Sequence, residues 1–227
     1  MCFYSMNPSF EASDICWSYG NKTILDHAAL QLFPGECVGV VGINGSGKST
    51  LLSILAGIKK VRGGSIKCYG HDLSENPRLY RKLTGYVPQE NPLLEELSVK
   101  DNLRIWSNTP EGLDPALLES LGIDSYLNLK VRELSGGMKR RVSLAAALIN
   151  NPPVLIMDEP SSALDLHHRE VIQNYLREYT NRNGTVIMST HDIEEIKRCT
   201  RILYIEGCHL LSKDASSAIK DLREELL

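Results

Sequence analysis

A β-branched apolar run, Val38-Gly39-Val40-Val41, passes directly into Gly42-Ile43-Asn44-Gly45-Ser46-Gly47-Lys48-Ser49 and then into the helix-forming Thr50-Leu51-Leu52. The eight-residue stretch fits G-x-x-x-x-G-K-[ST] between a strand and a helix, the context that gives this pattern its meaning. Glycines let backbone N–H groups turn inward around phosphate oxygens, and the following helix adds the positive end of its dipole. Lys48 is placed to reach the β- and γ-phosphates of a nucleotide, and Ser49 to put its hydroxyl on Mg2+. Gly42, Asn44, Gly45, Ser46, Gly47, Lys48, Ser49 and Thr50 are therefore the expected nucleotide-binding set. A glycine-rich turn with an incidental lysine is the competing reading, and the flanking strand and helix weigh against it.

Residues 154–157 and 186–189 share the texture of residues 38–41: short, apolar, continuous rather than alternating. That is the pattern of parallel strands buried on both faces. In open α/β sheets, ligands gather at the carboxyl ends of the strands. Those ends carry the glycine loop, Asp158-Glu159 and Thr190-His191, so three chemical groups converge on one edge. Val154-Leu155-Ile156-Met157-Asp158-Glu159 has the form of a Walker B motif. Asp158 is expected to hold Mg2+ through water, because that ion dehydrates reluctantly. Glu159 is expected to polarise an attacking water. Adjacent acids at a strand end can also be a solvated turn; beside a matched phosphate loop the catalytic reading takes precedence.

Residues 10–33, with a Tyr19-Gly20-Asn21 turn, predict antiparallel strands flanking the main sheet. Residues 91–133 are leucine-rich and broken by Pro92, Pro110 and Pro115, which predicts a helical insertion of short helices. Alanine and leucine content predicts a helix over 142–149, stopped by Asn150-Asn151-Pro152-Pro153. Residues 169–179 and 215–226 read as amphipathic helices, the second with Ile219, Leu222 and Leu226 on one face. With no internal repeat, residues 1–227 form one expected α/β domain: a mostly parallel sheet, an N-terminal antiparallel β subdomain and the helical insertion.

Leu134-Ser135-Gly136-Gly137-Met138-Lys139-Arg140-Arg141 resembles the signature of the ATP-binding cassette (ABC) ATPase family, most often Leu-Ser-Gly-Gly-Gln. The resemblance spans residues 10–210, with the motifs in family order, and implies a P-loop NTPase core. Gly85-Tyr86-Val87-Pro88-Gln89 resembles the Q-loop, in which Gln89 would sense Mg2+ and the attacking water and link the helical insertion to the core. Ser161-Ser162-Ala163-Leu164-Asp165 resembles the D-loop, which crosses a dimer interface. Ser189-Thr190-His191-Asp192 resembles the switch region, in which His191 would contact the γ-phosphate. Tyr19 is similar to the aromatic residue that stacks on adenine, with Trp17 close enough to compete. By spacing alone Gln89 is a loop glutamine and His191 a structural histidine.

In the family, the signature closes over ATP held by a second copy of the cassette. The resemblance therefore implies that Ser135, Gly136 and Gly137 offer a hydroxyl and backbone donors to the partner's γ-phosphate, with Asp165 at the same interface. Each chain then carries two half-sites and works as a head-to-tail dimer. Met138 stands where glutamine is commonest; this is the most replaceable position of the signature, so activity is expected to survive. The signature variant resembles those of exporter ATPases, and Leu97-Ser98-Val99-Lys100-Asp101-Asn102-Leu103 fits the same branch. An iron–sulfur assembly scaffold ATPase is the alternative. A regulatory cassette that binds ATP without turnover is a third reading, against which Glu159 and His191 argue.

A net charge of −3 offers no basic face for nucleic acid. The run Lys139-Arg140-Arg141 reads as a solvated or phosphate-facing surface. The six cysteines show no Cys-x-x-Cys pair, and His27, His71, His167, His168 and His209 form no metal spacing, so no zinc site is expected. Scattered thiols suit a reducing compartment. No secretory signal opens the sequence and no apolar run approaches a membrane span. The expected setting is cytoplasmic, at the cytoplasmic face of a membrane, with membrane-spanning subunits on separate chains.

Overall fold

The computed structural model describes residues 7–60, 63–108, 113–162 and 164–224. The opening residues Met1 to Ser5, and Pro110, Ala163 and Leu226 named above, lie outside them. The turn at Tyr19-Gly20-Asn21 folds β1 (Phe10–Tyr19) back onto β2 (Lys22–Leu32) in antiparallel register, from Phe10 opposite Leu32 to Tyr19 opposite Lys22. Next come β3 (Cys37–Val41), the phosphate loop and α1 (Lys48–Leu55). The chain returns to the first sheet through β4 (Ser65–Cys68) and β5 (His71–Asp72). The first sheet thus runs β2-β1-β4-β5, the antiparallel layer expected for residues 10–33 extended by two strands.

After α2 (Pro77–Leu83), β6 (Thr84–Val87) enters the second sheet, pairing in parallel with residues 154–157. The expected helical insertion is present as α3 (Val99–Trp106) and α4 (Pro115–Ser120). Each is opened by a side chain that accepts a backbone N–H, Ser98 from Asp101 and Asp114 from Ala116. Then follow α5 (Gly136–Leu148), β7 (Val154–Asp158), α6 (Leu166–Asn181), β8 (Thr185–Ser189) and α7 (Ile193–Arg198). The chain finishes with β9 (Arg201–Glu206), β10 (His209–Lys213) and α8 (Ala215–Glu224). The second sheet has the order β10-β9-β3-β8-β7-β6, parallel except for β10.

Residue alternation along these parallel strands sorts the interior into two cores. Val38, Val40, Val154, Ile156 and Ile187 face a cluster shared with α1 and the antiparallel sheet. Leu155, Met157, Val186 and Met188 face a second cluster, shared with α5, α6 and the helical insertion through Leu103, Leu117 and Ile172. The period of two in a strand makes one sheet a septum between two cores. That explains why β7 and β8 are buried at every residue.

The helix expected over 169–179 runs from Leu166 to Asn181, and the largest boundary difference lies at α5. Helix α5 begins at Gly136, not at residue 142, because the Ser135 hydroxyl accepts the Met138 N–H and caps it. The signature is the cap and first turn of that helix.

Candidate active site

Four neighbouring parallel strands, β3, β8, β7 and β6, end at one edge. With strands about 4.8 Å apart, the phosphate loop, Thr190-His191, Asp158-Glu159 and Pro88-Gln89 follow one another across roughly 14 Å. Residues distant in sequence meet there because each motif follows its own strand.

In the phosphate loop, the Lys48 ammonium donates to the carbonyls of Gly42 at 2.8 Å and Ile43 at 3.0 Å. Lys48 is only 6% exposed. Burial lowers its pKa from the ordinary lysine value, while Glu159 and Asp158 pull it back up. Gly47 precedes α1 with a φ of 110°, and a Cβ there would come within 2.6 Å of Ile24 Cγ2. No side chain caps α1, so its first N–H groups face the loop. The buried Ser46 hydroxyl also has no hydrogen-bond partner among the described residues. The loop therefore presents backbone donors, an orphan hydroxyl and a buried cation, a donor set suited to phosphate.

Asp158, 3% exposed, ends β7. Ser189 braces it: its hydroxyl donates to Asp158 Oδ1 at 2.5 Å and accepts the Glu159 N–H at 2.9 Å. Glu159 adopts a φ of 47°, a left-handed backbone that costs a non-glycine residue on the order of 1–3 kcal/mol. Gln89 Nε2 donates to its Oε2 at 3.4 Å, and His191 Nδ1 lies 3.5 Å from its Oε1. The structure brings Gln89, Glu159 and His191 together.

Arg140 corrects the reading of Lys139-Arg140-Arg141 as a solvated or phosphate-facing surface. Arg140 and Arg141 are both buried. Arg140 Nε donates to the Pro160 carbonyl at 3.0 Å, and Nη2 to Asp158 and Glu159 at 2.6 and 2.9 Å. Its Nη1 donates to Pro88 at 2.5 Å and Gln89 at 3.3 Å. One guanidinium on the signature helix thus holds the backbones behind both Glu159 and Gln89. The planar five-donor fork is what permits it. Nothing in the local sequence distinguishes Arg140 from its basic neighbours. Lys139 alone of the three turns outward, to Glu95 at 2.7 Å.

Tyr19 and Trp17 meet edge to face at the end of β1, ring centroids 6.1 Å apart, but differ in burial. Trp17 packs against the core, whereas Tyr19 is 51% exposed. Hydrogen bonding with Thr50, then with Lys59, holds the Tyr19 hydroxyl below the usual phenol range, which places its ring beside the start of α1.

Ser135 and Gly136 are exposed at the N-terminus of α5, and Gly137 is buried. Among the described residues, no hydrogen bond joins these three to the phosphate loop, Glu159 or His191. Asp165 caps α6 by accepting the His168 N–H at 2.9 Å. Asp192 caps α7, and Arg169 on α6 pairs with it at 2.5 Å. D-loop and switch therefore each end in a helix cap, whereas the signature opens with one.

Residues 25–162, well over half of the chain, match the ABC transporter family profile. The chain belongs to the ABC transporter family. This cassette is 39% identical to the Nod factor export ATP-binding protein I of Rhizobium etli, over 96% of its own length and 71% of the relative's. It resembles the solved ATP-binding subunit of an ABC transporter with a TM-score of 0.84 and 25% identity, covering 96% of this chain and 98% of the other. A dimeric ATP-binding cassette in a post-hydrolysis state, bound to ADP and Pi, gives 0.78 and 26%, covering 91% and 98%. The cassette is an ATP hydrolase of the transport-coupled kind.

Proposed function

We propose that this cassette powers export through membrane-spanning subunits on separate chains, by ATP-driven closure of a head-to-tail dimer. The observation that carries the chemistry is the meeting of Gln89 and His191 on the Glu159 carboxylate at the edge where the phosphate loop opens. Tyr19 stacks on adenine. Gly42, Asn44, Gly45, Ser46, Gly47, Lys48, Ser49 and Thr50 cradle the phosphates. Ser49, Gln89 and Asp158 would hold Mg2+, which would supply neutralisation of the phosphate charge. Glu159 accepts a proton from the attacking water, and His191 orients the γ-phosphate.

The partner's Ser135, Gly136 and Gly137 complete each site, with Asp165 at the interface. Because ADP lacks the γ-phosphate that bridges the two chains, ATP favours the closed dimer and hydrolysis releases it. Likeness to an export ATP-binding protein over nearly the whole chain supports export over the iron–sulfur scaffold reading. No described helix is long and apolar enough to cross a membrane, consistent with a cassette that docks on partner subunits at the cytoplasmic face. Residues 1–227 are read as one domain with a helical insertion near 91–133, since the insertion shares a core with the central sheet.

Glu159→Gln tests this reading. It keeps the side chain's shape and removes its basicity, so hydrolysis should fall roughly 10²–10⁴-fold while ATP binding persists and an ATP-bound dimer accumulates on a sizing column. Parental turnover in that variant would remove Glu159 from the chemistry.

A further inference from the structure

On the β1–β2 hairpin the pairing slips between Ala12 and Ile15 and again between Ile15 and Trp17. Asp14 and His27 sit at these irregularities with φ of 58° and 48°, a backbone region non-glycine residues rarely enter. The slips bring together side chains that a regular ladder would separate. His27 Nδ1 hydrogen-bonds Asp14 Oδ1, and the His27 N–H donates to Cys16 Sγ at 3.3 Å. A carboxylate oxygen, a sulfur and an imidazole nitrogen thus lie within 4.8 Å of one another. On the far side of the ring, Asp26 Oδ1 is 3.7 Å from His27 Nε2.

We propose that Asp14, Cys16 and His27 bind a divalent transition-metal cation of borderline softness, with zinc the best match to the donor set. Zinc takes oxygen, sulfur and nitrogen ligands at about 2.0–2.3 Å in a tetrahedron, which sets ligand atoms about 3.5 Å apart. Asp14 and His27 are exposed and Cys16 partly so, and rotation of such side chains closes the remaining gap. Asp26 is placed to accept the other ring N–H of His27, the role carboxylates commonly play behind a metal-bound histidine. On binding, the thiol proton leaves to solvent and the sulfur donates its electron pair to the metal. Three protein ligands leave the fourth position to water. Mg2+ prefers all-oxygen shells, so this site is chemically separate from the nucleotide's metal.

The site ties β1 to β2 a few residues from both Tyr19 and Ile24, the neighbour of Gly47. A bound cation would therefore stiffen the strands that flank the nucleotide.

The full chain, reduced, stripped of metal by a chelator and held in excess Mg2+, is titrated with Co2+ and then Zn2+. The expected result is one Co2+ per chain with tetrahedral d–d bands and a thiolate-to-cobalt charge-transfer band, displaced by Zn2+. Cys16→Ser should abolish the charge-transfer band, and His27→Ala should weaken binding roughly tenfold or more; Asp26→Asn should cost roughly 10–100-fold while keeping the band. Lys48→Ala and Cys208→Ser should leave it unchanged. Circular dichroism reports that every variant remains folded, and ATP binding does so for all but Lys48→Ala. A parental chain without the band, or a band that survives both Cys16→Ser and His27→Ala, would overturn the proposal, the three residues then serving only to close the irregular pairing.

Discussion

The His168 imidazole lies directly against Gly137, so that a Cβ at Gly137 would stand 1.7 Å from His168 Cδ2. No side chain fits unless the ring moves. His168 also donates its N–H to Asp165, the cap of α6. The signature on α5 and the D-loop helix α6 therefore touch through one ring and one glycine. Gly137→Ala should displace the first turn of α5, lowering hydrolysis at least tenfold, about 1.4 kcal/mol in barrier, while each chain's own phosphate loop still binds ATP. Adding His168→Ala removes the clash and should recover part of the rate. Equal rates for Gly137→Ala and the parent would show that the contact yields without cost.

The same ring makes stability depend on pH. Burial, and then the Arg141 charge, push the His168 pKa below 6.5, with Asp165 opposing and His167 adding to the fall. Unfolded, the imidazole titrates near 6.5. Between the two values the unfolded chain binds the extra proton, so stability drops as pH falls below about 6.5 and levels off below the folded value. Above 6.5 both states are neutral and nothing is lost. His27 titrates in the opposite sense, its pKa raised chiefly by the hydrogen bond to Asp14, so the comparison belongs in a His27→Gln background. Between pH 7.5 and 5.5 the melting temperature should fall further with His168 than with His168→Gln; identical falls would exclude a buried, depressed histidine.

Arg140 offers a separation of folding from catalysis. Leaving buried carbonyls unpaired costs about 1–3 kcal/mol each, and five lie on its guanidinium. Relief from desolvating the cation offsets part of this. Arg140→Ala should lose roughly 3 kcal/mol, a fall in melting temperature of about 6–12 °C. Arg140→Lys keeps the charge but not the fork. It should bind ATP with near-parental affinity yet show a reduced kcat, because Gln89 and Glu159 are no longer held from behind. A Lys variant with parental kcat would make the residue purely structural.

A linked pair of cassettes tests the shared site. Lys48→Ala in one half and Ser135→Arg in the other place both lesions in the same composite site and leave the second intact. Turnover near half of the parental linked pair is expected. If each chain used its own signature, both sites would be damaged and turnover would vanish.

Much of this cassette was legible in its sequence because the relevant signals are local. The glycine pattern at 42–49, the unbroken apolar runs of β3, β7 and β8, and the acids after β7 sit within a few residues of the strands that display them. Strand period and carboxyl-end placement then bring three motifs to one edge. Caps are equally local but were not read: Ser135, Asp165 and Asp192 open helices by accepting N–H groups two or three residues ahead, and missing Ser135 put the start of α5 six residues late.

Packing decided the rest, because it joins residues that no local pattern relates. Arg140 looks in sequence like the outward-facing Lys139 beside it, and is buried because the loop after β6 and the end of β7 leave bare carbonyls where α5 passes. Ser189 was one member of a motif until the β7–β8 register set it beside Asp158. Trp17 competed with Tyr19 in the chain, and packing drew Trp17 against the core while leaving Tyr19 half-exposed beside it. His27 matched no metal spacing because its companions lie two strand slips away, on β1. Side-chain chemistry is written residue by residue, whereas the company each side chain keeps depends on how the two sheets and α5 close on one another.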